Sequence, residues 1–264
     1  MEYLSALLLG VIEGLTEFLP ISSTGHLILL GDLIGFQGPP GKVFEIVIQL
    51  GAILAVVIIY WRKLLDLALH CWRPGLQRFY VLNLLLAFLP ALVLGATLHK
   101  VITEVLFSPW VVSVALILGG IAIILIERER PPPTIHSVPE MGPLAALLVG
   151  FGQALAMIPG TSRSGATIIT ALLVGVDRKV AAEFSFILAI PTMLAATAYS
   201  LFKARAELSA DGAGLIVVGF AAAFAVAFLV VRWLIGVVGR IGFAPFGWYR
   251  IVLGAVMLAW LSLR

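Results

Sequence analysis

Charged residues are scarce in this sequence, and cysteine is almost absent. Of the 264 residues, 12% are Asp, Glu, Lys or Arg, and a single one is cysteine, Cys71. Soluble domains carry about 25% charged residues, so the scarcity of charge excludes an ordinary soluble protein. One cysteine excludes an internal disulfide. The Lys and Arg residues are dispersed, so the pI near 9.2 does not indicate a nucleic-acid partner.

The sequence is rich in apolar residues. They make up 61% of the chain, and the mean hydropathy is +1.12. The apolar runs are long and continuous, which indicates membrane helices rather than the short alternating strands of a β-barrel. The first residues lack a basic region and a small-residue cleavage site, so we expect Met1–Leu9 to belong to the mature protein.

Six apolar runs are long enough to span a bilayer, which takes about 20 residues. They cover roughly residues 43–60, 80–98, 105–126, 183–202, 214–235 and 246–263. Two further apolar segments, 4–36 and 143–176, are interrupted near their middle by proline and a polar loop. Half-segments of that length cannot span singly, so each segment is predicted to enter and leave on one side of the membrane as a re-entrant helix-loop-helix. Two tilted spans per segment are the alternative.

These segments predict an all-α polytopic membrane protein made of two repeats. The first repeat covers 1–126, a linker 127–142, and the second repeat 143–264; each has one re-entrant helix-loop-helix and three transmembrane helices. Three spans per repeat invert the second repeat relative to the first. If the loop 60–80 is cytoplasmic, eleven Lys and Arg residues lie inside and five outside, with Arg250 counted inside and both termini outside. The run ERERPPP at 127–133 is interpreted as a solvated linker stiffened by proline.

The two interrupted segments contain related motifs, GVIEGLTEFLPISSTGH at 10–26 and GFGQALAMIPGTSRSGA at 150–166. Aligning them pairs Glu13 with Gln153, Pro20 with Pro159, and Ser23 with Ser162. Their polar residues differ, because one copy brings two carboxylates and a histidine and the other an arginine. Polar, proline-broken helices in two repeats indicate one composite site at membrane depth.

In the first motif, Glu13 and Glu17 lie one helical turn apart on the same face. Adjacent buried carboxylates need a cation or a shared proton, so the pair predicts a divalent-metal site for Mg²⁺ or Ca²⁺ that bridges to phosphate. A solvated pair near the interface is the alternative. Pro20 is expected to stop the helix, and Ser22, Ser23 and Thr24 to include the N-cap of the next one. Ser23 and His26 fit a nucleophile and its base, or His26 could itself be the nucleophile.

The second motif is a Ser/Gly loop that leads into an apolar helix. Such a loop presents free amides and the positive end of a helix dipole, which together bind anions. Arg163 adds a planar fork suited to phosphate oxygens. The neighbouring residues of this loop, Gly160, Thr161, Ser162 and Ser164, are predicted to bind phosphate with it, as are Ser22 and Thr24 of the first loop.

Other polar residues in the apolar runs receive structural interpretations. Gln153 is expected to hydrogen-bond across the pseudo-axis between the repeats, and Gln49, Asn83 and Thr192 to hydrogen-bond between helices. Glu45 and Glu183 are expected to cap helices or to pair at the interface with Lys42 and Lys179.

The stretches EGLTEFLPISSTGH and PGTSRSGAT resemble the two signature motifs of the undecaprenyl-diphosphate phosphatase family, also called bacitracin-resistance proteins. The resemblance extends over the whole chain, including FEIVIQLGAILAVV after the first motif. It implies a bacterial inner-membrane hydrolase that acts on a phosphoric anhydride, converting undecaprenyl diphosphate to undecaprenyl phosphate and recycling the lipid carrier of peptidoglycan synthesis. It also implies inverted repeats and a site that opens toward the periplasm.

The resemblance also suggests roles for individual residues. Glu13 and Glu17 match the acidic pair assigned to metal or diphosphate, and Ser23 and His26 match the proposed nucleophile and base, in either order. Ser162, Arg163 and Thr167 match the phosphate-binding motif. The expected partners are a polyprenyl diphosphate lipid and the bilayer.

A polyprenyl-phosphate transporter or flippase would show the same architecture and the same diphosphate site. Only hydrolysis requires the Ser23 and His26 pair. The sequence leaves open the metal, the prenyl chain length, lipid translocation and the oligomeric state, a homodimer included.

Overall fold

The structure is a computed structural model that describes residues 2–36, 43–101, 108–203, 205 and 212–263. Lys42 lies outside these residues, so its expected pairing with Glu45 cannot be compared with the structure. Within the described ranges the chain forms eleven α-helices, α1 to α11. In chain order they are Glu2–Thr16, Ser23–Ile34, Val43–Ile59, Trp61–His70, Leu76–Val101, Pro109–Glu129, Pro143–Leu155, Arg163–Leu173, Arg178–Lys203, Ala213–Ile241 and Ala244–Ser262. The prediction of an all-α polytopic membrane protein is confirmed.

Five helices, α5, α6, α9, α10 and α11, are long and apolar enough to cross a membrane. The sixth predicted span is α3, with 17 residues, or about 25 Å of helix. After Tyr60 the chain bends by 74° into α4, where the sequence predicts a loop. Helix α4 is amphipathic, because Leu67 faces the protein while Arg62 and Asp66 are exposed on other faces. This pattern is typical of a helix that lies in the membrane interface.

The two predicted breaks are present, and each helix ends earlier than expected. Helix α1 stops at Thr16 and α7 at Leu155, four residues before Pro20 and Pro159 respectively. A proline cannot donate to the carbonyl four residues earlier, and its ring clashes with that carbonyl. Thr16 and Leu155 carry the carbonyls that the amides at positions 20 and 159 would have bonded in a continuous helix, so the helices end there. The side from which each broken segment enters the membrane remains a prediction.

Each half of the chain packs one helix against the other half. Helix α1 packs against α10, and α7 against α5. Small residues allow these backbones to touch: a Cβ on Gly10 would lie 2.3 Å from the Gly219 carbonyl oxygen, and one on Gly150 would lie 2.7 Å from that of Ala87. The corresponding glycines of the two motifs thus each dock their helix on the opposite half.

The run ERERPPP is exposed along most of its length, as the interpretation of a solvated linker predicts. The side chains of Arg128 and Glu129 are 81% and 75% exposed, and the first two prolines are exposed as well. The first residue of the run is the exception. Glu127 belongs to the last turn of α6, is buried, and accepts hydrogen bonds from Arg178 Nε (2.7 Å) and Nη2. Asn83, expected to bond between helices, instead donates to the carbonyls of Val138 and Met141 at 2.8 and 2.9 Å. The ion pair and these bonds therefore hold the two ends of the linker on the helices, while the residues between them include the exposed charges and prolines.

Two further expectations about polar residues can be compared with the structure. Glu183 pairs with Lys63 of α4, not with Lys179, because the bend after Tyr60 brings α4 beside α9. Gln153 donates to Ala87 O at 3.3 Å and accepts from Thr192 Oγ1 at 3.2 Å. Gln153 therefore joins α7 to α5 and α9, and Thr192 bonds between helices as expected.

Candidate functional site

The two motif loops lie against each other, although about 140 residues separate them in the sequence. Ser164 Oγ donates to the Leu19 carbonyl at 2.9 Å, and Arg163 Nη2 lies 3.1 Å from Glu17 Oε1. One backbone contact and one ion pair thus join the loops. The structure brings the acidic residues of one motif and the arginine of the other into one place.

The loops have the same backbone conformation where they enter their second helices. Ser22 has φ 70° and ψ 97°, and Ser162 has φ 72° and ψ 116°; they are the two described non-glycine residues with positive φ. Each serine is an N-cap, since its Oγ accepts from the amide of Gly25 (3.5 Å) or Gly165 (3.1 Å). The structure therefore equates Ser22 with Ser162, and Ser23 with Arg163. The alignment of Ser23 with Ser162 was wrong by one position, because the second loop is one residue longer.

A chain of three side chains connects the loops through Glu17. Ser23 Oγ donates to Glu17 Oε2 at 2.6 Å, while Glu17 Oε1 accepts from Arg163 Nη2 at 3.1 Å. All three side chains are largely buried, Glu17 being 6% exposed. The carboxylate thus contacts a hydroxyl and a guanidinium at once, which suits it to accept a proton from the hydroxyl.

Arg163 is held by α9 as well as by Glu17. Its Nη1 donates to the Ser185 carbonyl at 3.0 Å, Nη2 lies 3.4 Å from Met193 Sδ, and the guanidinium carbon is 5.5 Å from the centre of the Phe18 ring. Its Nε is buried and has no partner among the described residues. A buried unpaired donor is costly, so this N–H is available to an acceptor such as a phosphate oxygen.

Glu13 lies next to Glu17, as their spacing predicts. It is 1% exposed, and the Glu17 amide donates to its carbonyl at 2.9 Å. The two buried carboxyl groups are neighbours on one face of the chain, and neither oxygen of Glu13 has a hydrogen-bond partner in the described part of the protein. Two neighbouring buried carboxylates favour a shared proton or a cation.

The expected pairing of Ser23 with His26 does not occur in the structure. His26 Nδ1 is 2.8 Å from the Ser22 carbonyl, which only a protonated Nδ1 can satisfy, and Nε2 is 2.7 Å from Tyr249 Oη. The imidazole also stacks on the Tyr249 ring, with centroids 5.5 Å apart. Both ring nitrogens are therefore engaged away from Ser23, whose proton is directed to Glu17 instead. The bond to the Ser22 carbonyl and the contacts with Tyr249 hold the imidazole toward α11.

Both loops line a cavity of about 380 Å³ that is bounded by α5, α7 and α9. The predicted site residues that reach it are Glu17, Ser22, Ser23, Thr24, Gly160, Ser162 and Arg163. Its remaining wall is mainly apolar and comes from α5 and α9, with Phe88, Ala91, Leu92, Gly95, Ala96, Ala195, Ala196 and Tyr199. A cavity of this kind, apolar with a few convergent polar groups, is typical of a small-molecule site.

The other predicted phosphate ligands lie behind the cavity and hold the loops together. Thr161 faces an outer groove, and its carbonyl accepts from Arg250 Nη1 at 2.8 Å. Ser164 bonds Leu19, as described above. Thr167 Oγ1 bonds Ser185 Oγ at 2.6 Å and is 1% exposed. Glu13 and His26 are likewise absent from the cavity wall.

Two residues next to the site were not found from the sequence. Tyr249 and Arg250 begin the second turn of α11, where Tyr249 bonds His26 and Arg250 bonds both loops. Arg250 was counted among the cytoplasmic basic residues, which is wrong because it is 1% exposed and packed behind the loops. An isolated Arg inside an otherwise apolar span was the available signal.

We expect Tyr249→Phe to lower the stability by about 1 kcal/mol, the usual value of one hydrogen bond, and turnover by less than tenfold. The ring still stacks on His26, but Nε2 loses its donor. Thermal unfolding and turnover of purified protein measure the two effects. Trp248→Phe, at the adjacent exposed position, serves as the control and should change neither. A loss of turnover of about 1,000-fold, of the size that removal of a nucleophile or its base commonly causes, would instead place His26 in the chemistry.

Comparison with known proteins shows the family of this chain. The family model described as "Bacitracin resistance protein BacA" matches residues 6–256. A protein of Paramagnetospirillum magneticum named "Undecaprenyl-diphosphatase 2" is 57% identical over 99% of this chain and all of its own length. Proteins named "Undecaprenyl-diphosphatase" from Parvibaculum lavamentivorans and Dechloromonas aromatica are 51% and 54% identical, over 99% and 97% of this chain and 98% and 93% of their own lengths. The chain belongs to the BacA family of bacitracin-resistance proteins.

Proposed function

We propose that this protein hydrolyses undecaprenyl diphosphate to undecaprenyl phosphate and inorganic phosphate. The observation that carries the proposal is the Ser23–Glu17–Arg163 chain, which places a hydroxyl, its proton acceptor and a guanidinium in one cavity wall. The names of the relatives, at 51% to 57% identity, supply the substrate.

In the first step, Ser23 Oγ attacks the terminal phosphorus of the diphosphate. Its proton passes to Glu17 Oε2, 2.6 Å away. An Oγ–P bond forms, the bond from that phosphorus to the bridging oxygen breaks, and Glu17 returns the proton to the departing undecaprenyl phosphate. Phosphoryl transfer depends mainly on positioning and on positive charge around the equatorial oxygens, and the unpaired Nε–H of Arg163 can supply both.

In the second step, water attacks the phosphoserine. Glu17 accepts a proton from the water, the new O–P bond replaces the Oγ–P bond, and Glu17 protonates the departing Ser23 Oγ. Inorganic phosphate leaves and the site returns to its starting state. The engaged nitrogens of His26 favour Ser23 over a phosphohistidine.

The apolar wall between α5 and α9 suits the lipid part of the substrate. The cavity volume of about 380 Å³ lies near the lower end of the range for small-ligand sites. It can accommodate the diphosphate and the first prenyl units, with the remaining chain passing between helices into the bilayer.

Glu13 and Glu17 also fit a divalent cation, because the two oxygens of Glu13 lack partners and carboxylates are the ligands of Mg²⁺ and Ca²⁺. No group of three or more His, Cys, Asp or Glu side chains suited to a metal occurs in the described residues. Mg²⁺ is commonly held by one or two carboxylates together with substrate phosphates, so the lipid would complete the coordination. When bound, the ion would neutralise charge on the phosphate oxygens.

We expect chelation to abolish phosphate release and Mg²⁺ or Ca²⁺ to restore it. Glu13→Gln should raise the metal concentration needed for half-maximal activity by about 10- to 100-fold, as the loss of a metal-site partner does. Metal titrations of chelated wild type and variant measure this. Full activity of wild type in excess chelator would instead assign a shared proton to the two carboxyl groups.

Three broader features belong to the same proposal. The two halves of the chain are inverted repeats with re-entrant helix pairs α1–α2 and α7–α8, and this is supported by their reciprocal packing on α10 and α5. The cavity opens toward the periplasm of a bacterial inner membrane. There the reaction recycles the lipid carrier for peptidoglycan synthesis and confers bacitracin resistance.

Release of phosphate from undecaprenyl diphosphate by the purified protein tests the function. We expect multiple turnovers with the wild type and turnover at least about 100-fold slower with Glu17→Gln, while both bind the lipid. A wild type that binds the lipid and moves it between leaflets without releasing phosphate would favour the flippase alternative.

A further inference from the structure

Arg250 is the largest fully buried side chain of the described protein, and it has no carboxylate partner within the described ranges. A buried charge without a counter-ion is costly unless hydrogen bonds satisfy it. Arg250 meets this requirement through backbone carbonyls alone. Nε donates to Leu116 O at 3.3 Å, and Nη2 donates to Ala115 O and Gly160 O at 3.1 Å each.

The remaining nitrogen of Arg250 connects the two motif loops directly. Nη1 donates to the Pro20 carbonyl of the first loop at 3.2 Å and to the Thr161 carbonyl of the second at 2.8 Å. One guanidinium therefore bonds the loop that carries Glu17, the loop that precedes Arg163, and helix α6 between them. No motif residue bonds all three.

We propose that Arg250 is a positioning residue that fixes the two loops relative to each other and so sets the contact between Glu17 and Arg163. It acts from behind the cavity, because it is absent from the cavity wall and faces the outer groove. The inference rests on the proposed hydrolysis only for its kinetic readout. Its structural readout is independent of the reaction.

The surroundings of Arg250 are shaped for a guanidinium. A Cβ on Gly119 of α6 would lie 2.1 Å from Nη2 and 2.7 Å from Cζ, so a larger residue at 119 would displace the guanidinium. Lysine cannot replace the arginine, because a single ammonium nitrogen has three donors and lacks the planar fork. Arg250→Lys keeps the charge and loses the geometry.

We expect Arg250→Lys to lower kcat by about 100-fold, the effect of misplacing catalytic groups by about 1 Å, with KM changed less than threefold. Hydrogen–deuterium exchange should become faster in peptides covering both 17–26 and 156–166. Exchange in the peptide covering α10 should stay at the wild-type rate. A general loss of stability would accelerate exchange in all three.

Gly119→Ala tests the same contact while leaving Arg250 in place. It should change kcat and the exchange of both loops in the same direction as Arg250→Lys. Gly236→Ala is the matched control, because a Cβ there meets nothing within 4 Å, and it should match the wild type. Arg178→Gln, which breaks the ion pair with Glu127 away from the cavity, should lower the melting temperature and leave kcat within twofold.

Three results would overturn the inference. The first is that one of the two loops exchanges at the wild-type rate in both Arg250→Lys and Gly119→Ala. The second is that exchange in α10 accelerates as much as exchange in the loops, and the third is that both variants keep the wild-type kcat. If Arg250→Lys fails to fold, Gly119→Ala decides the matter alone. A wild type that releases no phosphate would reject the proposed hydrolysis, whereas the exchange comparison would still test the positioning role.

Discussion

Replacing Ser23 with alanine is expected to lower phosphate release by at least about 1,000-fold, as the removal of a nucleophile commonly does. Affinity for the diphosphate lipid should change by less than threefold, because Arg163 and the second loop remain in place. The hydroxyl lost is the one that donates to Glu17 at 2.6 Å. Single-turnover phosphate release and direct lipid binding on one preparation measure both effects.

Thr24→Val is the matched control for Ser23→Ala. Thr24 is the next residue, lines the same cavity and has no hydrogen bond to Glu17 in the structure. It should keep turnover within tenfold. If Ser23→Ala released phosphate at the wild-type rate, the nucleophile would be His26 or an activated water, and the Ser23–Glu17 contact would have another purpose.

Arg163→Lys should lower turnover by at least about 100-fold, in the range seen when a preorganised donor is removed from a transition state. Arg163 donates to Glu17 and to the Ser185 carbonyl through its two terminal nitrogens and keeps its Nε–H for a phosphate oxygen. Lysine can retain a charge near Glu17, but its single nitrogen cannot reproduce this planar set of donors. Glu17→Gln should have an effect of similar size, because the amide cannot accept the Ser23 proton.

The double variant separates a shared role from two independent ones. Since Arg163 and Glu17 are in contact, their effects should not add, and the double variant should be less impaired than the product of the single losses. Arg178→Lys is the control, because Arg178 also pairs with a buried glutamate but lies outside the cavity. Near-wild-type turnover of Arg163→Lys would show that a diffuse positive charge is sufficient.

The sequence was sufficient for the architecture of the site because proline, serine and glycine have strong local consequences. Pro20 and Pro159 determine where α1 and α7 end, and the serine after each determines the next N-cap. Two such breaks with complementary charges, in a chain of apolar spans, predicted that the loops meet. In the structure they do so through Arg163 and Glu17.

Hydrogen-bond partners were harder to predict, because they depend on which way a side chain turns. Ser23 and His26 are close in sequence, yet Ser23 bonds back to Glu17 and His26 bonds Tyr249, which is 223 residues away. Likewise, Arg250 resembles in sequence a basic residue that flanks the membrane. Only the packing shows that five backbone carbonyls accept hydrogen bonds from it. Pairwise contacts between distant helices leave no periodic signal in one sequence.

The positive φ of Ser22 and Ser162 bears on how the protein would respond to selection for heat resistance. Such a backbone conformation costs a residue other than glycine about 1–3 kcal/mol, and the protein has this cost in both loops. Ser162 shares it although its neighbour is Arg163 rather than the proposed nucleophile, so the strained turn is common to both motif loops and is not tied to the proposed reaction. Selection for melting temperature alone should return glycine at either position, at the expense of the hydroxyl that caps α2 or α8.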